Sequence, residues 1–415
     1  MNPQASGVPA VIPKGLLLYT LVLGFASGLP LALSAGTLQA WLTVEGVDLT
    51  TLGWLTVLGI PYTYKFAWAP AIDRFQLGGK RGGRRRGWQV VLLLALAAST
   101  WALSLAEPMA PNGLVYISIV ALMLVVFSAS FDIVFDAWRA ESLTPEQRGL
   151  GAAWSVIGYR IAMLVSGGLA LMLADLYLGF AGAYQVMAIL LLGLAVLAVF
   201  VPEPSETSPP KSLREAVVEP FKEFFSRKAA IAVLGCIVLY KLGDAFAGSL
   251  PTAFLIRGAG FSAAEVGAVN KGMGLLATLI GGLAGGLLIA KLGLWRSLLL
   301  FGFLQAITNL GFWWLAVQQP PSLLEMTLVI LLENLAGGMG TAAFVALLMS
   351  LCDQRFTATQ FALLSALASV GRVWVGPIAG HAATDYGWPS FFLGSFFAAL
   401  PGLWLVWRLR VELRL

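Results

Sequence analysis

The chain has 415 residues, of which 59% are hydrophobic and 11% charged, with a mean hydropathy of +0.84. An ordinary soluble domain carries about 25% charge, so a water-soluble globule is excluded. The net charge of +5 does not point to nucleic acid either, because the excess Lys and Arg sits in loops between apolar runs, where it reports membrane topology.

The apolar blocks are about 18 to 25 residues long, the length an α-helix needs to cross roughly 30 Å of hydrocarbon. They do not alternate in segments of about 10 residues, as the strands of a membrane barrel do. In chain order the polar, Gly and Pro breaks predict twelve spans: 16–41, 50–70, 88–106, 113–137, 149–175, 183–201, 229–256, 263–290, 296–317, 322–350, 358–383 and 389–408. Residues 1–14 lack the charged start and cleavage site of a signal peptide, so the first span is expected to be retained. With the N-terminus inside, twenty of the 26 Lys and Arg collect on one side, whereas the opposite loops hold Arg257 alone. The positive-inside rule then places both termini in the cytoplasm. The two cysteines, Cys236 and Cys352, are too few for a disulfide framework or a metal cluster.

One long polar stretch, 202–228, falls between spans six and seven. It divides the chain into a six-helix bundle (1–201), a linker (202–228) and a second six-helix bundle (229–415). Within the linker, Leu213 to Phe225 has apolar residues at helical spacing, which suits a helix on the inner membrane surface; a plain tether is the other reading. An internal repeat supports the division. Gly46-Val47-Asp48 to Gly53 and Gly260-Phe261-Ser262 to Gly267 share the form x-G-apolar-x-x-x-x-apolar-G, and Gly158-Tyr159-Arg160 is matched by Val370-Gly371-Arg372. The duplication resembles that of major facilitator transporters, whose halves rock about a central cavity.

The loop after span two resembles the acidic-basic signature of the same superfamily. It reads Ala69-Pro70-Ala71-Ile72-Asp73-Arg74, followed by Arg84-Arg85-Arg86. The resemblance implies that Asp73, Arg74, Arg84 and Arg85 help hold one gate through ion pairs and a helix dipole.

An ionisable side chain inside a membrane helix costs several kcal/mol, so each one is a functional candidate. Nine stand out: Asp132, Asp136, Asp244 and Glu333 among the acids, and Lys65, Arg160, Lys241, Lys271 and Arg372 among the bases. Structural ion pairing is the competing reading for any one of them. Asp132 and Asp136 are four apart on one helix face, with Arg139 three further on. Asp132 lies a turn deeper and is the first choice for a proton carrier, followed by Asp244, Glu333 and Asp136. Lys65 is either a gate latch or a cavity wall. Lys241 and Asp244, three apart, are placed to pair. Gln39, Arg160, Lys241, Asn270, Lys271, Asn334 and Arg372 supply the amides and cations expected to bind substrate. Beside Glu333-Asn334, the run Gly337-Gly338-Met339-Gly340 lets a helix or ligand come close. No nucleotide-binding loop, metalloprotease motif or nucleophile elbow occurs, so no enzyme and no cofactor are expected, and the energy is expected from a proton gradient.

Longer stretches resemble the AmpG-type muropeptide permeases of Gram-negative inner membranes. They include Leu23 to Leu33 (LGFASGLPLAL), Asp132 to Trp138, 146–175, Val238 to Gly248 (VLYKLGDAFAG) and 333–372. The resemblance implies an all-α major facilitator fold, a single-chain unit in the bilayer, and proton-driven uptake of N-acetylglucosaminyl-1,6-anhydro-N-acetylmuramyl peptides from periplasm to cytoplasm. A facilitator of another anionic solute, acetyl-CoA-like or a drug for efflux, is the alternative. The family usually has Gln where Phe131 stands.

Overall fold

The computed structural model of the chain describes residues 14–74, 77, 83–143, 148–204, 225, 226, 229–318, 320–351 and 357–411. Among them, nine continuous helices are long and apolar enough to span a bilayer. Two of these, Trp154–Ala198 and Leu364–Arg408, have 45 residues each, about 67 Å at roughly 1.5 Å per residue and twice the hydrocarbon thickness. Each is divided by a glycine with positive φ and extended ψ, Gly179 at 66° and 172° and Gly387 at 73° and 170°, a region essentially reserved to glycine. Another apolar segment, 49–74, is not continuous, because Pro61 and Pro70 restart it in short pieces separated by 3-10 turns.

Dividing the two long helices and adding this segment gives twelve spans, matching the twelve expected. They are α1 (Gly15–Val44), α2 (49–74), α3 (Arg84–Ser104), α4 (Gly113–Ser142), α5 (148–178), α6 (Gly179–Ala198), α7 (Ala230–Gly258), α8 (Ala263–Leu292), α9 (Leu294–Val317), α10 (Leu323–Ser350), α11 (357–386) and α12 (388–408). The surface amphipathic helix expected at Leu213 to Phe225 lies outside the described residues except for Phe225. Large apolar side chains such as Ile231, Leu283 and Leu287 stand 72% or more exposed, as lipid-facing residues do and a soluble protein avoids.

The repeat has a physical meaning at both of its sites. Gly46 and Gly260 take positive φ, 89° and 83°, turning the chain after α1 and after α7. Two residues later a polar side chain caps the next helix: Asp48 accepts from the Thr51 amide at 2.8 Å, and Ser262 accepts from the Glu265 amide in a reciprocal capping box. Partial burial pushes the Asp48 carboxyl up, but the hydroxyl and amide of Thr51 outweigh this and hold it below its ordinary value. The closing glycine of each motif is a contact point between halves. A side chain on Gly53 would run into the backbone of Gly376 and Gly380 on α11, and one on Gly267 into Gly168 and Leu171 on α5.

Packing between the halves lies at the end opposite the basic loops, here the far end. There α2 lies on α11, the middle and end of α5 on the start of α8, and the last turns of α1 on the last turns of α7. Thr56 Oγ1 donates to the Val373 carbonyl at 2.8 Å, and Thr63 and Ser369 share a hydrogen bond of 3.0 Å. The buried core follows the same division. Its larger part runs through both halves, from Leu23 and Leu96 to Phe254 and Phe392. A smaller cluster of Val233, Ile237, Phe301 and Phe344 belongs to the second half alone.

Candidate functional site

In the first half, α4 carries Asp132 on the face it turns to α1 and α2. Ser27 Oγ of α1 donates to one carboxylate oxygen at 2.5 Å, and Lys65 Nζ of α2 stands 3.7 Å from the other. The same ammonium is 4.0 Å from Asp136, whose side chain is 54% exposed against 19% for Asp132. Arg139 pairs with Asp136 at 3.0 Å and donates to Ser155 Oγ of α5 at 2.6 Å. The i,i+3 and i,i+4 spacings thus bring together what the sequence placed on one face. Lys65 is joined to α4 within its own half.

Several residues beside these carboxylates escaped the sequence reading. Ser27 is one; Tyr62 is another, donating from α2 to Ser128 Oγ of α4 at 2.8 Å. Tyr159 of α5 is a third, within electrostatic reach of Asp132, Arg160 and Arg372 together. Tyr159 is thus a neighbour common to the two repeat-related arginines. Arg160 Nε is buried with no hydrogen-bond partner among the described residues, whereas Arg372 is exposed. Phe131 is fully buried and stacks on Phe135 at 6.5 Å, so it belongs to the core.

In the second half, Lys241 Nζ and Gln305 Nε2 both reach one oxygen of Asp244, at 3.1 and 3.0 Å. Lys241 is 9% exposed, and its ammonium lies 5.6 Å from the centre of the Phe344 ring on α10, a cation–π distance. Gln305, on α9, was not anticipated. It explains part of the glycine run on α10: a side chain on Gly340 would collide with the Gln305 amide, and one on Gly338 with the backbone of α8. Beside that run, Asn334 donates to Glu333 at 2.9 Å and accepts from Thr278 Oγ1 of α8 at 3.0 Å. Asn270 is half-buried on α8, and the Lys271 side chain lies outside the described residues.

Other expected residues are placed differently. Gln39 is 7% exposed and its amide donates to the Ser249 carbonyl of α7 at 2.8 Å. In this conformation the group belongs to the seam between halves. Arg84 and Arg85 both bind Glu141 at the end of α4, at 2.9 and 2.6 Å. The Arg85 and Arg86 amides are capped by the Glu203 carboxylate at 2.7 and 2.9 Å. The two arginines therefore tie α3 to α4 within one half. Asp73 and Arg74 end the helix Ala69–Arg74, but their side chains, and so the expected ion pairs, lie outside the described residues.

The arrangement suits a carrier. Taking the charge off Asp132 would leave Lys65 to Asp136 alone, and taking it off Asp244 would loosen Lys241, so protonation weakens a cation–anion contact at either place. Both clusters sit in helices whose halves touch mainly at the far end.

Comparison with known proteins agrees with this architecture. Residues 20–374 match the model of the Major Facilitator Superfamily. The anhydromuropeptide permease of Escherichia coli (strain K12) is 53% identical over 399 residues, covering 95% of this chain and 79% of that protein. Putative transporter AmpG 4 of Rickettsia felis is 33% identical over 404 residues, covering 94% and 95%. The crystal structure of a bacterial homologue of the human lysosomal transporter Spinster, inward-facing and unoccupied, shares the fold with a TM-score of 0.72 at 14% identity, covering 97% of this chain and 98% of that one. With so much of its length matched, the chain belongs to the major facilitator superfamily as an AmpG-type permease.

Proposed function

We propose that this permease imports N-acetylglucosaminyl-1,6-anhydro-N-acetylmuramyl peptides from periplasm to cytoplasm across the bacterial inner membrane, coupled to protons, as a single chain with both termini in the cytoplasm. The observation that carries the substrate is the 53% identity, over nearly the whole chain, to a protein named for it. The site chemistry supports the same reading. Such ligands bear two sugars and several carboxylates, and Lys241, Arg160 and Arg372 offer cations, with Asn270, Lys271 and Asn334 as further contacts. Asp132 is the proton carrier in this scheme, with Asp136 as its exposed partner; Asp244 releases Lys241, and Glu333 orients Asn334. The cytoplasmic orientation is supported by the one-sided distribution of Lys and Arg.

Purified protein in liposomes tests the proposal. With an imposed pH gradient, labelled anhydromuropeptide should accumulate above its outside concentration, and collapsing the gradient should stop accumulation. Uptake that is indifferent to the gradient would remove the coupling, and absence of uptake would remove the substrate.

A further inference from the structure

Arg257 is the lone cation among the far-side loops of the sequence, and no step proposed above uses it. It lies in the last turn of α7, and its guanidinium donates to the Thr43 carbonyl in the last turn of α1, 2.7 Å away in the opposite half. The two positions are equivalent within the repeat, each three residues before the left-handed glycine of its loop, Gly46 or Gly260. The contact therefore lies at the pseudo-two-fold axis. A helix C-terminus carries about half a negative charge on its free carbonyls, which suits a guanidinium. The carboxylate of Asp48, at the start of α2, adds a full charge within range.

A second arm has the opposite sign. Asp175, near the end of α5 in the first half, accepts from the Ala264 amide in the first turn of α8 in the second half, at 2.9 Å. A helix N-terminus carries about half a positive charge and unused amides. The capping box satisfies the amides of Ser262 and Glu265, and Asp175 takes that of Ala264, which lies between them. Both arms sit in π-helical turns, 174–178 and 254–258.

We infer that Arg257 and Asp175 are gating residues of the transport cycle, each holding the periplasmic end closed by binding a helix terminus of the other half. The inference rests on the transporter reading and orientation given above. Charge on a helix terminus is a weak bond by comparison with a buried ion pair, and water replaces it on both sides when the halves separate. Such arms bias the far end toward closure without locking it, as a gate that opens in every cycle requires.

The test uses Ser249→Cys as a reporter. Ser249 is 7% exposed and its carbonyl accepts from Gln39 at the same seam, so a membrane-impermeant thiol reagent reaches that cysteine from the periplasmic side when the far end is open. In right-side-out vesicles, Arg257→Gln and Asp175→Asn should each raise the labelling rate about threefold, and together about tenfold if the arms act independently. The apparent KM for outside anhydromuropeptide should fall in the same variants while the maximal rate falls too, because the outward-open state gains population at the expense of the return step. Glu107→Gln, an exposed carboxylate on the α3–α4 loop, should leave labelling unchanged. If one variant fails to reach the membrane, the other carries the test, since each arm predicts its own rise. Labelling at the parent rate in Arg257→Gln and Asp175→Asn, or a rise matched by Glu107→Gln, overturns the latch. Labelling confined to the opposite vesicle face would instead overturn the orientation, with the ratio between variants still reporting on the arms.

Discussion

The first-half and second-half charge clusters hold a carboxylate and a lysine at similar distances but build them differently. Asp132 is gripped from two other helices, by Ser27 of α1 and Lys65 of α2. Asp244 and Lys241 share one helix, with Gln305 of α9 bonded to the carboxylate and the Phe344 ring of α10 beside the ammonium. Releasing the first cluster removes a tie between helices, so its protonation state and the position of α2 are linked. The Lys241–Asp244 contact lies within one helix, so its release would untie no helix from another directly. Under the roles proposed above, the first cluster is the better placed to couple and the second to bind.

Four substitutions sharpen or break that contrast. The largest effect is expected for Asp132→Asn, which should reduce gradient-driven accumulation to the level reached without a gradient while counterflow exchange persists; retained accumulation would move the coupling elsewhere. Lys241→Met should raise the KM for peptide-bearing ligand about 10- to 100-fold, the worth of a charged hydrogen bond, with less effect on the bare disaccharide. An equal loss for both ligands, measured by competition, would make Lys241 structural. Gln305→Leu removes one donor from Asp244 and should weaken binding about fivefold to tenfold, with coupling intact; a loss of coupling would show that the second cluster also carries protons. The smallest change, less than about twofold in uptake rate, is expected for Asp136→Asn, since that carboxylate is 54% exposed and its Arg139 pair is screened by water.

How much of this was legible in the sequence follows from the physics of burial. Span number and the pairing of Lys241 with Asp244 and of Asp136 with Arg139 depend on length, charge and i,i+3 spacing, which the sequence displays. The repeat motif was visible as a pattern, and only the structure shows that its parts are a turn, a cap and a contact point. Ser27, Tyr62 and Gln305 were not legible, because a small hydroxyl or a lone amide in an apolar helix costs little enough to pass as packing. Membrane helices are apolar on every side, so no amphipathic stripe says which face looks inward. Gln39 shows the same limit: its chemistry fits a ligand as well as it fits the Ser249 carbonyl. Arg84 and Arg85 were read through the loop they end, whereas Glu141, far along the chain, is what they bind in this conformation.

The glycine contacts of α2 with α11 carry a practical consequence. Because bare backbone meets bare backbone at Gly53, Gly376 and Gly380, one added methyl acts as a wedge. Gly376→Ala should favour conformers in which those helices stand apart, offering a genetic way to trap the half of the cycle that this structure does not display.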